Sequence, residues 1–281
     1  MGLRIQNNVE AFNTHRQLTA TASQAAKSME KLSSGYRINR AADDAAGLGI
    51  SEKMRSQVSG LAQGQRNAQD AISLVQTAEG ALGEVHSMLE RVRDLRVQIG
   101  NGTLADSDKE AIGAEVSQIA SEIDDILQNT EFNGKKLLDG NETFTFQVGA
   151  NQDDTISMDA SVLTSGSAGS GLSELTDLGG ASAADVATSL EAMDLADLTT
   201  AIDNVSKARG TYGAVQNRLE HRLANLATYQ ENLTAAESRI RDVDMAAEMT
   251  KFTKLNILQQ AGTSMLAQAN QSPQGVLSLL R

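Results

Sequence analysis

The sequence predicts a mainly α fold: an elongated rod of long antiparallel, coiled-coil-like helices with a small β-hairpin, and N- and C-terminal helices that could pair. Three observations carry this. Apolar residues recur at 3-4 spacing, the mark of helices packing lengthwise, over unusually long stretches. Proline occurs once in 281 residues, so the usual helix breaker is almost absent. Aromatics make up 3% with no Trp, which leaves an interior of Ala, Leu, Ile, Val and Met.

The elements read in chain order. Ser33-Ser34-Gly35 closes a first helix of about residues 4–32, since glycine readily takes the left-handed conformation that ends helices. A second stretch runs Leu74, Ala78, Ala81, Val85, Met88, Val92, Leu95, Ile99 and stops at Asn101-Gly102. A third holds Ile112, Val116, Ile119, Ile123 and Ile126, with Asp106 or Ser107 as cap and Glu110 completing a capping box with Ser107. Asn133-Gly134 and Asp139-Gly140 are turn dipeptides. Phe144, Phe146 and Val148 then alternate with Thr145 and Gln147, and Ile156 and Met158 with Thr155 and Ser157, which predicts a hairpin near 143–159. Residues 161–189 are rich in Ser, Gly and Ala and read as a flexible connection or a poorly ordered excursion, not a domain.

The last long stretch runs Leu195, Leu198, Ile202, Val205, Arg209, Tyr212, Gln216, Leu219, Leu223, Leu226, Gln230, Leu233. One helix over 195–240 is roughly 70 Å long. A compact globule of this chain length is under roughly 50 Å across, so a rod is expected. Arg209, Gln216 and Gln230 interrupt the stripe and are read as fixing register. The predicted domains are a terminal-helix domain of 1–42 with 241–281, a rod core of 43–160 with 190–240, and the 161–189 connection.

Charge is uneven. The chain has 24 Lys+Arg against 36 Asp+Glu, a net of −12. Both ends carry more basic than acidic residues, so the acidic excess lies in the body. An acidic body does not neutralise phosphates, which argues against nucleic acid as partner. The terminal helices have too few leucines to hold themselves together, and isolated helices are marginal in water. Their apolar residues Ile5, Val9, Phe12, Leu255, Leu258, Leu266, Val276, Leu277, Leu279 and Leu280 are the candidate self-association set.

No catalytic constellation is visible. His15, His86 and His221 are scattered, with no HExxH, and the chain has no cysteine, so no metal or cofactor is expected. Asp43-Asp44, read as helical, point about 100° apart and make no acid/base dyad. Gly47 and Gly49 follow no strand and no GxSxG is present. An enzyme is therefore not expected. No apolar run reaches the roughly 18 residues of a membrane span, and MGLRIQNNVEAF lacks the apolar core of a secretory signal.

Two long motifs carry a resemblance. KLSSGYRINRAADDAAGLGIS (Lys31–Ser51) with NAQDAISLVQTAEGALGEV (Asn67–Val85), and ILQQAGTSMLAQANQSPQGVLSLLR (Ile257–Arg281), resemble bacterial flagellin, in a short form lacking large outer domains. The resemblance implies a structural subunit that self-assembles into the extracellular flagellar filament, with paired terminal helices lining its inner tube and disordered in the free subunit. It implies export through a type III apparatus without a cleaved signal. The implied partners are an export chaperone, cap and hook-junction proteins. It also implies recognition by Toll-like receptor 5 through Arg91, Leu95 and Glu115, although Leu95 is equally a core-spaced residue. A hook–filament junction protein of the same family and a secreted rod-like adhesin are the alternative readings.

Overall fold

The structure is a computed structural model that describes residues 8–139, 143–159, 175–179 and 181–279, with side chains as far as residue 271. The described residues form helices α1 (Val9–Ser34), α2 (Ala45–Ile99), α3 (Asp106–Asn129), α4 (Ala183–Ala192), α5 (Leu195–Arg241) and α6 (Met245–Leu279). Strands β1 (Glu131–Phe132) and β2 (Lys135–Lys136) make one small antiparallel pair, and β3 (Thr143–Gln147) and β4 (Thr155–Asp159) another. The fold is mainly α, as expected. The chain packs as two units, residues 1–56 with 231–281 and residues 57–230.

Small polar side chains start most of these helices. The side-chain oxygen of Asn8 accepts from the Ala11 N–H at 3.0 Å, Asp44 from Gly47 at 2.8 Å, and Asp244 from Ala246 at 3.0 Å. Each satisfies a donor that the helix itself leaves unpaired. Asp43 and Asp44 are thus not helical neighbours. Asp44 caps α2, and Asp43 accepts from the N–H groups of Asn39 and Arg40 in the preceding turn. The predicted cap of α3 is corrected as well: the helix begins at Asp106, so neither it nor Ser107 is the cap. Ala105 is, and the Asp108 carboxylate accepts its N–H at 3.2 Å. Gly35 ends α1 at φ 76°, as its sequence context predicts.

In the 57–230 unit, α2, α3, α4, α5 and the hairpin share one core. The buried stripe of α2 is Ala68, Ala71, Val75, Ala78, Leu82, Val85, Leu89 and Val92. The predicted ridge named Ala81 and Met88, which are only half-buried, and missed Val75, Leu82 and Leu89. An amphipathic helix buries a stripe wider than a two-position seam, and the 3-4 template catches one edge of it. On α5 the same shift puts Ala201 and Ala208 inside instead of Ile202 and Arg209. Arg209 lies beside the core and reaches Glu79 at 3.8 Å. Gln230 accepts from Gln65 of α2 at 2.9 Å, a cross-helix contact suited to fixing register, whereas Gln216 donates to Glu220 of its own helix. Tyr212 is buried, and burial together with Asp159 pushes its phenol up to about 12.

The hairpin β3–β4 pairs Phe144 with Met158 and Phe146 with Ile156, and buries Phe144, Ile156 and Met158 on its inner face. Asn133 and Gly134, at φ 53° and 76°, form the two-residue turn of the smaller hairpin. The reading of 161–189 as a flexible connection needs correction where residues are described. Leu175 and Leu178 enter the core, and Ala183–Ala192 is a helix capped by Ser182 with Val186, Ala187 and Leu190 buried. Short apolar spacing hidden among small residues gave no strong periodic signal. Residues 160–174, Ile5, Gly140 and Leu280 lie outside the described residues.

In the unit formed by 1–56 and 231–281, two connections lie side by side. Tyr36 and Asp242 form an antiparallel bridge, the Arg37 N–H donates to the Arg241 carbonyl at 2.7 Å, and the Val243 N–H to the Gly35 carbonyl at 3.0 Å. The Arg241 guanidinium stacks on Tyr36 at 4.8 Å and donates to Glu52 at 2.7 Å. That bond above all holds the Glu52 carboxyl below its ordinary range.

Two outcomes follow from this packing. A Cβ on Gly113 collides with the Ala183 carbonyl oxygen of the α4 entry, so Gly113→Ala costs about 1–3 kcal/mol. Circular-dichroism melting shows this as a midpoint lower by about 2–4 °C per kcal/mol. Burial opposes ionisation of Asp154, but the Asn151 N–H and the Arg222 guanidinium outweigh it and hold the carboxyl below its ordinary value. A depressed carboxylate contributes stability above its unfolded pKa of about 3.9 and loses it as pH falls further. Asp154→Asn therefore lowers the melting midpoint at pH 7 and flattens its fall on the acid side, measured by melting from neutral to acid pH.

Candidate self-association surface

The terminal pair is built from two seven-residue repeats. On α1 the inward positions are Ala11, Thr14, Leu18, Thr21, Ala25, Ser28 and Leu32; on α6 they are Glu248, Phe252, Leu255, Gln259, Gly262, Leu266 and Ala269. This 3-4 spacing is that of a two-stranded coil, but the residues are mostly small or polar. The helices run antiparallel: Asn8 donates to the Ala269 carbonyl at 2.7 Å, and Ser28 to Glu248 at 2.5 Å. A Cβ on Gly262 would sit 3.2 Å from Leu18, so the backbones approach closely there. Burial opposes the charge on Glu248, yet the bonds from Ser28 and Lys251 prevail and hold its carboxyl low.

Leu18, Leu32, Phe252, Leu255 and Leu266 turn inward, but other large apolar residues stay outside. Phe12 is 71% exposed, Val9 55%, Ile257 61% and Leu258 47%. Thr250, Thr253, Lys254, Ile257 and Leu258 line one shallow groove of about 440 Å³ along α6. The candidate set thus divides. Val9, Phe12 and Leu258 face outward, whereas Leu255 is buried and Leu266 half-buried in the seam of the pair itself. Leu255 and Leu266 fall on the inward repeat, where the partner helix covers them within the pair. The side chains of Val276, Leu277 and Leu279 are outside those described, as are Ile5 and Leu280. Ile257, Met245, Met249, Met265 and Met29 are further exposed apolar residues outside the candidate set. Separating the two repeats by helix phase would have included them.

Arg91, Leu95 and Glu115 come together only in part. Arg91 donates to Glu115 of α3 through Nε at 2.9 Å and Nη2 at 2.7 Å, and both side chains are exposed. Leu95 is 1% exposed. Its place in a surface contact is corrected: the heptad turns it into the core.

Among the described residues no three His, Asp or Glu could share a metal ion, and no helix is long and apolar enough to cross a membrane. His86 lies 3.4 Å from Glu90, and His15 is exposed. His221 borders an open cavity of about 530 Å³ with Asp153, Asp154, Arg218, Arg222 and Asn225. The Arg222–Asp154 pair spans this space as a structural tie between α5 and the hairpin loop. Those aspartates lie too far along the chain from His221 for spacing to reveal them.

Comparison with known proteins agrees with this architecture. The bacterial flagellin N-terminal helical region matches residues 5–143, and the bacterial flagellin C-terminal helical region matches residues 195–280. A flagellin of Bacillus subtilis is 50% identical, covering 99% of this chain and 100% of its own length. A flagellin of Halalkalibacterium halodurans is 51% identical, covering 99% of each. A solved structure assigned as a flagellar hook-associated protein from Vibrio parahaemolyticus shares the fold at TM-score 0.57 and 16% identity, covering 71% of this chain and 100% of that one. The chain belongs to the bacterial flagellin family and is a structural filament subunit, not an enzyme.

Proposed function

We propose that filament growth joins subunits through the outward faces of α1 and α6. Within a subunit the small-residue seam pairs these helices. Between subunits, Val9, Phe12, Ile257 and Leu258 pack against the terminal helices of neighbouring copies, and Ile5, Val276, Leu277, Leu279 and Leu280 extend the same contacts. The observation that carries this reading is the row of large apolar side chains left exposed on a paired helix surface. A contact between unlike surfaces that does not close on itself yields an open helix of subunits. The terminal segments 1–42 and 241–281 make the inner layer in this account, and 43–160 with 190–240 the layer around it. The acidic body faces outward and keeps monomer and polymer soluble.

The same account assigns the chain an export chaperone, the filament cap and hook-junction proteins as partners, with export to the extracellular flagellum without a cleaved signal. Its support is membership of the family. Toll-like receptor 5 recognition rests on the exposed Arg91–Glu115 pair, with Leu95 holding the helix from inside.

Purified subunit seeded with filament fragments tests the polymer contacts. Phe12→Asp and Leu258→Asp each slow elongation by about tenfold or more, because a factor of ten needs only about 1.4 kcal/mol per contact. Both leave the monomer's melting within about 0.5 kcal/mol of the parent, as exposed sites do. Elongation of both variants at the parent rate contradicts the assignment. For the receptor, Arg91→Glu lowers binding in a surface-plasmon assay, and unchanged binding removes Arg91 from that contact.

A further inference from the structure

The described methionines differ in environment, and Met54 of α2 is half-buried. Met158 is buried, and Met88 and Met193 are half-buried against the core of the 57–230 unit. On the terminal pair the pattern reverses: Met29 is 53% exposed, Met245 48%, Met249 51% and Met265 55%. Met245 and Met249 are one helical turn apart, and Met265 follows Leu258 by seven residues, so it continues the outward face that bears Leu258. Thioether side chains are flexible and polarisable, which suits a surface that must pack against a neighbour with small adjustments. The same sulfur is open to two-electron oxidants, and the sulfoxide is polar and chiral where the thioether was apolar.

We propose that Met29, Met245, Met249 and Met265 are an oxidation-sensitive site set through which peroxides decide whether a free subunit can join a filament. This deepens the assembly reading and rests on it. The step balances with hydrogen peroxide as oxidant: the sulfur lone pair attacks a peroxide oxygen, the S–O bond forms, the O–O bond breaks, and water leaves. Sulfur is oxidised by two electrons and the peroxide is reduced. Each sulfoxide then places a strong acceptor at a contact that assembly makes dry, and its unmet hydrogen bonding opposes docking. Subunits already in a filament have these sulfurs covered, so the set discriminates free from assembled chains. Reduction by methionine sulfoxide reductases restores the thioether.

The experiment uses the full chain as monomer and as filament. Each is exposed to hydrogen peroxide, quenched with catalase, and read by peptide mass spectrometry and by seeded elongation. Expected are faster sulfoxide formation at the four positions than at Met88, Met158 and Met193, protection of the four in filaments, and elongation of oxidised monomer slowed by about tenfold, the effect of losing roughly one buried side chain. A variant with all four changed to Leu keeps its elongation rate after peroxide. Oxidised parent treated with the A and B reductases regains its rate, a readout that does not depend on the variant. Elongation of oxidised parent at the unoxidised rate overturns the proposal, as does equal peroxide sensitivity in the Leu variant. Failure of untreated parent to elongate at all instead overturns the assembly reading beneath it.

Discussion

A seam in which small and polar residues outnumber Leu18, Leu32, Phe252, Leu255 and Leu266 limits what the terminal helices α1 and α6 can do alone. Only Ala25, Ser28, Leu255 and Ala269 are buried among the described residues of that pair. Fixing a backbone costs roughly 1–2 kcal/mol per residue, whereas burying one large apolar side chain contributes about 1.5–3 kcal/mol. Alanine and serine contribute far less. Most of the apolar surface that could offset the ordering of these helices points away from the seam, at Phe12, Val9, Ile257, Leu258 and the exposed methionines. Such a surface gains from neighbours what it cannot gain from its own partner.

The 57–230 unit is built on the opposite plan. Val75, Leu82, Val85, Leu89, Val92, Val116, Ile123, Leu190, Leu198 and Leu219 are almost wholly withdrawn from water, and they belong to four helices of one core. Glycine at 113 lets α4 sit directly on α3, and the Asp154–Arg222 pair ties the hairpin loop to α5. A subunit of a polymer needs both properties. One part must keep its shape under load, and the other must be unfinished until assembly completes it. Uneven packing along a chain separates segments that open locally from those that open only with the whole fold.

Much of this was legible in the residues because long helices repeat their signal many times. The 47-residue α5 and the Ile112–Ile126 stripe of α3 offered several turns each, so an error at one position did not hide the element. The alternation of Phe144, Phe146, Ile156 and Met158 likewise marked the hairpin. Phase was harder than existence. Spacing alone could not tell Ala81 from Leu82, or Ile202 from Ala201, because a broad apolar stripe admits two neighbouring 3-4 readings. Helix α4 escaped since its three buried residues stand among Ser, Gly and Ala. In the self-association set, Leu255 and Leu266 looked equivalent to Leu258 until the partner helix fixed which side faced inward. Hydrophobicity identifies residues that need cover, but not which molecule supplies it.

Amide hydrogen exchange resolved by residue, on dilute monomer and on assembled filament of the same preparation, tests the central claim most directly. The account predicts fast exchange along α1 and α6 in the monomer beside slow exchange in the buried stretches of α2, α3 and α5, with the terminal helices becoming slow only in the filament. Terminal amides already as slow in the free monomer as those of the core contradict it.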